Sequence, residues 1–216
     1  MPKVEDRDPT RYFPAREGVD PTMLQINKVG AYSISRPEHA RDITDHIVNF
    51  LGLVLGVQAR QASIVDGTAG VGGDTLSFAS AFKRVISIER DAGQFAMLEN
   101  NVKQYGLKAS KAAIINGDLT KLLRRMRGDC LYMDPPWNDP DREWYTKRGA
   151  VMLYLSRKPI YSIVMQALDR FTAVVIKVPY NFDFRAFATN TAGILVLTAK
   201  VHTFYIVMCC RVPSAV

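Results

Sequence analysis

One segment of this chain joins an apolar strand, an acid, a glycine-rich turn and the start of a helix: Ser63-Ile64-Val65-Asp66-Gly67-Thr68-Ala69-Gly70-Val71-Gly72-Gly73-Asp74-Thr75. A strand, a tight turn and a helix in this order typically open a parallel α/β sheet. The glycines at 67, 70, 72 and 73 let the backbone turn sharply and approach a bound ligand closely. The pattern is not GxGxxG, and no Lys-Ser or Lys-Thr pair follows it, which disfavours a phosphate-cradling loop.

Strand-like and helix-like segments alternate after this turn. Strands are predicted at 64–66, 84–89, 112–115, 130–133 and 173–178, and helices at 72–82, 92–105, 119–126, within 151–171 and at 182–188. A closing antiparallel pair is predicted at 193–198 and 201–210, joined by Ala199-Lys200. Such alternation implies a mostly parallel, doubly wound α/β sheet, here of seven strands.

Residues 1–60 are predicted to form a small N-terminal arm and helical extension, and residues 61–216 a single α/β domain. The extension has a short helical turn near residues 21–27 and a helix at 37–55. Pro37 suits the first position of that helix, and Ser35 is the expected cap just upstream.

Composition narrows the class of protein. The 216 residues carry a net charge of +7, and residues 1–60 are neutral, so the excess lies on residues 61–216. A basic surface favours a polyanionic partner, although solvated lysines and arginines would give the same charge. No apolar run has the length of a membrane span, and the charged N-terminus does not resemble a secretory signal. The three cysteines lack CxxC spacing and are predicted to be reduced core thiols, and no metal site is expected.

Three acids follow three successive predicted strands. Asp66 ends the first, Glu89 ends the second, and Asp118 follows the third. Glu89 is placed to accept hydrogen bonds from two ribose hydroxyls, and Asp118 from an adenine amino group. Asp66 suits a positive or donor-rich group, and S-adenosylmethionine offers both. Each feature alone has a simpler explanation, such as packing, NAD binding or a helix cap at Asp118. Together they favour a nucleoside cofactor.

A second motif, Asp134-Pro135-Pro136-Trp137, follows the fourth predicted strand. The exocyclic amine of a nucleobase is a poor nucleophile because its lone pair is delocalised into the ring. Acceptors for its hydrogens, here the Asp134 carboxylate and the Pro135 carbonyl, would draw the amine towards a pyramidal geometry. The prolines fix the turn, and Trp137 offers a flat surface for the base. These four residues are the predicted catalytic set, with direct methyl displacement as the expected reaction.

The chain resembles a class I methyltransferase of the trimethylguanosine synthase type, which modifies the RNA cap at guanine N2. The resemblance lies in the stretches 66–73, 85–91, Asn100-Asn101, Tyr105-Gly106, Gly117-Asp118 and Pro135-Pro136-Trp137, with an upstream match at 31–38. It implies a Rossmann-like sheet and S-adenosylmethionine as cofactor. Two positions depart from the family: Asp134 stands where those enzymes often have Ser, and residues 138–141 replace a glycine pair and proline.

The resemblance also implies a set of binding residues. The predicted cofactor contacts are Asp66, Gly67, Gly70, Gly72, Thr75, Glu89 and Asp118, with Tyr32 and Ser33 closing over the methionine end. On the substrate side, Trp137 would stack on 7-methylguanine, and the predicted binding residues are Trp137, Trp144, Asn181, Lys147 and Arg148. Tyr145, Tyr180 and Phe182 are alternatives to Trp144 for the second face of the base.

The predicted partner is therefore RNA, with a 7-methylguanosine cap as the expected target, in the nucleus or cytoplasm; a viral origin would fit equally. Two alternatives stay open at this point. One is an adenine-N6 or internal guanine-N2 methyltransferase acting on RNA or DNA. The other is a non-catalytic RNA-binding or assembly subunit that keeps the methyltransferase fold, although the intact glycine turn and Asp134 favour activity.

Overall fold

A computed structural model of the chain describes residues 11–137 and 149–212. Its strands are β1 (Ser63–Asp66), β2 (Arg84–Glu89), β3 (Ala112–Asn116), β4 (Gly128–Met133), β5 (Tyr154–Leu155), β6 (Lys158–Pro159), β7 (Phe171–Pro179), β8 (Ile194–Val201) and β9 (Phe204–Arg211). Its helices are α1 (Lys28–Ser33), α2 (Pro37–Leu55), α3 (Gly73–Ala81), α4 (Ala92–Gln104), α5 (Leu119–Leu122), α6 (Ile160–Ala167) and α7 (Phe184–Asn190).

Seven strands form one sheet in the order β3-β2-β1-β4-β7-β9-β8. This arrangement confirms the predicted Rossmann-like, seven-stranded α/β fold. The chain divides into two compact units, Met1–Leu119 and Thr120–Val216. Within the described residues, no helix combines the length and apolar character needed to cross a membrane.

The first unit contains three parallel strands in which β2 lies between β1 and β3. Helices α3 and α4 connect them as crossovers, which is the connection that parallel strands require. The apolar side chains of Ile64, Val85 and Ile88 are fully buried, so these strands lie inside the unit rather than on its surface. All three strands end in polar residues, which brings Asp66, Glu89 and the residues after Asn116 to the same edge of the sheet.

The N-terminal segment packs on the first unit. Phe13 and Leu24 belong to a buried apolar cluster with Val71, Leu98 and other residues of the unit. Helix α1 was not predicted, because its sequence, Lys-Val-Gly-Ala-Tyr-Ser, has no apolar periodicity. Its start is stabilised instead by the Asn27 side chain, which accepts a hydrogen bond from the Gly30 amide at 2.7 Å.

Helix α2 has the predicted bounds, but the predicted cap is wrong. Arg36 occupies the cap position and its side chain makes no capping hydrogen bond. The Ser35 hydroxyl donates instead to Asp74 Oδ2 in α3 at 2.9 Å, and this contact is buried. The Ser35 side chain thus makes a tertiary hydrogen bond and does not cap the helix.

In the second unit, β4 and β7 are parallel, and β7 pairs with β9 and β9 with β8 in antiparallel register. The residues of β7 from Ala173 to Pro179 are buried, as expected for a strand covered on both faces. The three cysteines are buried on β4 and β9, and burial raises the pKa of the Cys209 thiol to about 12.

Two boundaries in the second unit differ from prediction. The turn between β8 and β9 lies at His202-Thr203 rather than Ala199-Lys200, because β8 continues until Val201 pairs with Phe204. The helix predicted within 151–171 is limited to α6. A hairpin of β5 and β6 precedes it, with Ser156 and Arg157 both in the left-handed region at φ 49° and 65°. Nothing in the sequence signals that turn, since neither residue favours positive φ.

Candidate functional site

The glycine-rich turn after β1 is held against the end of β2. The Gly70 amide donates to Glu89 Oε2 at 2.8 Å, and the Ala69 amide donates to the Ile88 carbonyl at 3.0 Å. Gly70 and Gly72 have φ of +54° and +103°, which L side chains rarely adopt. A Cβ at Gly72 would also lie 2.9 Å from Leu98 Cδ1. The turn therefore needs glycine at 72 for both backbone and packing reasons.

Glu89, at the end of β2 next to this turn, is half-buried and accepts two backbone hydrogen bonds. Oε2 accepts from Gly70, and Oε1 accepts from the Asp91 amide at 2.7 Å. Each carboxylate oxygen has two lone pairs, so both oxygens retain capacity for a further donor. A carboxylate fixed in this way, with an acceptor oxygen on each side, fits the paired hydroxyls of a ribose. The residues present therefore suit a nucleoside cofactor.

Asp66 and Thr75, both predicted cofactor contacts, face the interior of the first unit. Asp66 is 1% exposed, and its Oδ2 accepts from the Thr75 hydroxyl at 2.6 Å. The Thr75 hydroxyl also lies 2.9 Å from Ser87 Oγ on β2. This geometry ties β1, β2 and the start of α3 together. It favours a role in shaping the turn for both side chains, and Ser87 is a member of this group that sequence reasoning missed.

Asp118 lies beside Glu89 at the strand ends. The Gly117 amide and the Asn116 side chain both donate to the Glu89 carbonyl at 2.9 Å, which fastens the end of β3 to the end of β2. Asp118 follows directly, half-buried and immediately before α5. Glu89 thus ends β2 and Asp118 follows β3, at the positions along the strands that the sequence indicated.

The upstream segment contacts the glycine turn through Gly30 and Ile34, while the placement of Tyr32 and Ser33 over the cofactor stays a prediction. Tyr32 is 68% exposed, and the Ser33 hydroxyl donates to the Val29 carbonyl within its own helix. The close approaches come from Gly30, where a Cβ would lie 2.9 Å from Val71, and from Ile34, which would lie 2.5 Å from a Cβ on Gly73. Asn101 on α4 fixes the same region, since its side chain donates to the Gln25 and Val71 carbonyls at 2.9 Å.

In the second unit, Asp134 follows β4 and forms an ion pair with Lys177 on β7. The distance from Lys177 Nζ to Asp134 Oδ2 is 2.8 Å, and the side chains are 6% and 17% exposed. Sequence reasoning missed Lys177. The available signal was a single lysine inside the apolar run Val174-Val175-Ile176-Lys177-Val178, because an unpaired lysine is almost never fully buried.

Trp137 lies in the same cluster as this ion pair. Its ring centroid is 6.2 Å from that of Phe204, with the planes tilted by 58°. Lys177 Nζ lies 5.5 Å from the Trp137 centroid and 4.9 Å from the Phe204 centroid. Pro135 is buried and Pro136 is exposed, so the turn leaves β4 with one proline anchored in the unit. The predicted catalytic residues Asp134 and Trp137 are thus joined through Lys177.

The remaining predicted substrate contacts are only partly described. The Asn181 side chain donates to the Gly149 carbonyl at 3.2 Å, and its own backbone carbonyl accepts from the Val151 amide at 2.8 Å. Asn181 therefore holds the chain segment that follows residue 148. Trp144, Lys147 and Arg148 lie outside the described residues. No group of three or more His, Cys, Asp or Glu side chains that could hold a metal occurs within 11–137 and 149–212.

Comparison with known proteins identifies the family of the chain. A model of the family described as RNA cap guanine-N2 methyltransferase matches residues 61–212. The chain belongs to this family. The resemblance predicted from the sequence is thereby confirmed, and S-adenosylmethionine is the cofactor of the family.

The curated relatives of this chain include trimethylguanosine synthases and ribosomal RNA methyltransferases. It is similar to the trimethylguanosine synthase of Schizosaccharomyces pombe, with 31% identity over 163 residues, covering 73% of this chain and 63% of the relative. It is also similar to the ribosomal RNA small subunit methyltransferase J of Francisella philomiragia, with 30% identity over 147 residues, covering 61% of this chain and 60% of the relative. The family member thus spans less than two thirds of the length of either relative.

A solved structure shows the same fold. The Thermus thermophilus 16S rRNA N2 G1207 methyltransferase RsmC, determined with AdoMet and guanosine, superposes on this family member with a TM-score of 0.57 at 20% identity. The likeness covers 78% of this chain and 43% of that chain. At this identity it supports the shared class I methyltransferase fold.

Proposed function

We propose that this chain transfers a methyl group from S-adenosylmethionine to the exocyclic N2 amine of guanine, with the 7-methylguanosine cap of RNA as the substrate. The observation that carries the proposal is the Asp134-Pro135-Pro136-Trp137 turn at the end of β4, in a chain that belongs to the cap guanine-N2 family. We assign the catalytic domain to residues 61–216 and the extension to residues 1–60. An RNA substrate would place the protein in the nucleus or cytoplasm.

The proposed chemistry needs an amine whose lone pair is no longer delocalised into the base. The Asp134 carboxylate and the Pro135 carbonyl accept hydrogen bonds from the two N–H groups of the amine and hold the nitrogen in a pyramidal geometry. Once the nitrogen carries the methyl group, it loses one of these protons to solvent and the product is neutral at this nitrogen. Trp137 keeps the base in plane and orients it, so that most of the rate enhancement comes from positioning and from fixed dipoles. S-adenosylmethionine supplies an electrophilic methyl on a sulfonium when it is bound.

The proposed cofactor contacts follow from the strand ends of the first unit. Glu89 accepts from the ribose hydroxyls with the lone pairs that Gly70 and Asp91 leave available. Asp118 accepts from the adenine amino group. The turn at Gly70 and Gly72 brings backbone close to the ligand, and Asp66 with Thr75 keeps that turn in shape.

The cap is favoured over an unmodified guanine by the charge of its base. A 7-methylguanine is cationic, and stacking of a cation on Trp137 adds an attraction of about 1–2 kcal/mol when water is excluded. Beyond the base, Lys147 and Arg148 are proposed to meet the triphosphate bridge as charge-assisted donors. Trp144 and Asn181 complete the proposed substrate set.

The test is methyl transfer from labelled S-adenosylmethionine to three RNAs of one sequence, carrying a 7-methylated cap, an unmethylated cap or no cap. We expect label on the 7-methylated cap alone. Label on the uncapped RNA would transfer the assignment to an internal base, and absence of label despite measurable cofactor binding would favour a non-catalytic role.

Two observations favour a second candidate function, methylation of an internal guanine. The acid Asp134 stands where the cap enzymes that this chain resembles often have Ser, and the chain is also similar to a ribosomal RNA methyltransferase. Methylation of an internal guanine N2 uses the same acceptors and the same stacking surface. Nuclease digestion that leaves the triphosphate bridge intact distinguishes the two, since label on the cap stays with the cap dinucleotide and label on an internal guanine is released as a mononucleotide.

A further inference from the structure

Lys177 is a buried cation in a strand that is otherwise apolar. It lies on β7 between Ile176 and Val178, both fully buried, and is itself 5% exposed. Burying an ammonium group away from water is costly unless an opposite charge lies within contact distance. The Asp134 carboxylate provides that charge at 2.8 Å. The pair is therefore a single electrostatic unit whose net charge is zero.

The ion pair also fixes how Asp134 can act. Lys177 donates to Oδ2 at 2.8 Å, which fixes the orientation of the carboxylate. A neighbouring ammonium favours the ionised carboxylate, which accepts hydrogen bonds and donates none. Asp134 then works as an oriented acceptor and not as a group that must first lose a proton.

The same ammonium borders the aromatic surface. Its Nζ lies 5.5 Å from the Trp137 centroid and 4.9 Å from the Phe204 centroid. At such distances a cation interacts with the negative face of the ring. A cationic base stacked on Trp137 would therefore meet both the Lys177 charge and the compensating Asp134 charge. The balance between them determines how strongly a charged base is preferred over a neutral one.

We propose that Lys177 is a positioning and specificity-determining residue, which orients the Asp134 carboxylate and neutralises it so that the base meets no net charge. The inference rests on the proposed function. It also accounts for the departure from the cap enzymes that this chain resembles, because an acid paired with a lysine presents the same net charge as a serine. Removing either partner leaves the other as an uncompensated buried charge, and removing both restores neutrality.

The experiment is a double-mutant cycle with Lys177→Met, Asp134→Ser and the two combined, measured as kcat and KM on 7-methylated and unmethylated caps. We expect Lys177→Met to lower kcat about tenfold or more, because a misoriented acceptor forfeits positioning. Lys177→Met leaves the negative Asp134, so its preference for the cationic, 7-methylated cap should rise about threefold or more. Asp134→Ser leaves the positive Lys177, so its preference for that cap should fall by a similar factor. The double variant should return to the wild-type preference.

The controls separate this role from a purely structural one. Lys177→Arg keeps the charge and should retain a normal cap preference. Lys103→Met makes the same substitution at an exposed lysine on α4 and should leave kcat and KM unchanged. Thermal unfolding identifies variants that are merely unstable. Effects that simply multiply in the double variant, with one cap preference in all four proteins, would overturn the inference.

Binding measurements test the role of Lys177 without relying on methyl transfer. Calorimetric titration needs no change to either tryptophan, both of which belong to the proposed substrate set. Titration with 7-methyl-GTP and with GTP gives the charge preference of each cycle variant without any methyl transfer. If the wild type binds these nucleotides but methylates no RNA, the proposed function fails and the cycle still decides the role of Lys177. If neither nucleotide binds, both proposals fail.

Discussion

Asp134 is the residue on which the proposed chemistry depends most directly. We expect Asp134→Ala to abolish methyl transfer while S-adenosylmethionine binding stays near normal, because the proposed cofactor contacts lie on other strands. The variant also leaves Lys177 buried without its carboxylate, which costs about 3–5 kcal/mol when one partner of a buried pair is removed. Unfolding in urea should therefore show a clear loss of stability. Full activity in this variant would refute the mechanism.

Individual residues also show what the sequence could and could not predict. The places of Glu89 at the end of β2 and of Asp118 after β3 were predictable, because the apolar pattern of both strands is plain in the chain. Lys177 was missed because its partner is 43 residues away in the sequence. Ser35 was misassigned for the same physical reason, since a buried contact with Asp74 outweighs a local cap.

At the scale of elements, the turn between β1 and α3 depends on glycine. Gly72→Ala places a side chain at φ +103° and 2.9 Å from Leu98 Cδ1. We expect a destabilisation of about 1–3 kcal/mol from backbone strain, together with weaker cofactor binding. Calorimetric titration with S-adenosylmethionine and thermal unfolding measure the two effects.

A matched glycine-to-alanine change lies within α2. A Cβ at Gly52 meets nothing within 4 Å, and the residue is exposed inside a regular helix. Gly52→Ala should stabilise the protein by about 0.5–1 kcal/mol, because alanine is the better helix former. Equal effects at positions 52 and 72 would contradict the special role of the turn.

The contact between the N-terminal segment and the end of α4 should weaken at alkaline pH. The Tyr105 hydroxyl donates to the Pro14 carbonyl, and burial raises the pKa of Tyr105 to about 12. A tyrosine in the unfolded chain has a pKa of about 10, so the higher pKa in the folded state means that folding disfavours the phenolate. This contribution to stability is complete below about pH 10 and is lost progressively as the pH rises towards 12. The difference in unfolding free energy between wild type and Tyr105→Phe, followed from pH 9 upwards, should shrink over that interval; a constant difference would contradict it.

Elements were predictable where packing on one face dominates the sequence pattern. Helix α2 and strand β2 have the predicted bounds because their apolar residues repeat with the period of a helix and a strand. Helix α1 and the β5–β6 hairpin were missed. Their conformations depend on the Asn27 cap and on two non-glycine residues at positive φ, which no local pattern indicates.

At the scale of the whole molecule, the exposed basic residues before β4 are well placed for a polyanion. Arg124, Arg125 and Arg127 are exposed and lie immediately before β4. They lie at the opposite end of β4 from Asp134, and the seven residue steps from Arg127 to Asp134 span about 23 Å of extended chain. An RNA several nucleotides long could contact both ends, whereas a cap dinucleotide could not.

We therefore expect charge reversal of Arg124, Arg125 and Arg127 to weaken the binding of long RNA and to spare a cap dinucleotide. The slope of log affinity against log salt should become shallower by about 0.7 for each phosphate that the protein no longer neutralises. Filter binding from low to high salt measures this effect. Charge reversal of Arg41, Arg60 and Lys103, which are exposed in the first unit, changes the net charge equally. An identical weakening in both sets would mean that overall charge, and not this surface, attracts the RNA.

The packing of Gly30, Ile34 and Ser35 on the glycine turn has a practical consequence for anyone who truncates the gene. The family match begins at residue 61, but these three residues press on Val71, Gly73 and Asp74. A fragment cut at the family boundary would uncover apolar side chains next to the cofactor turn and leave Asp74 without its serine. The minimal stable fragment should therefore begin well upstream of the homologous region.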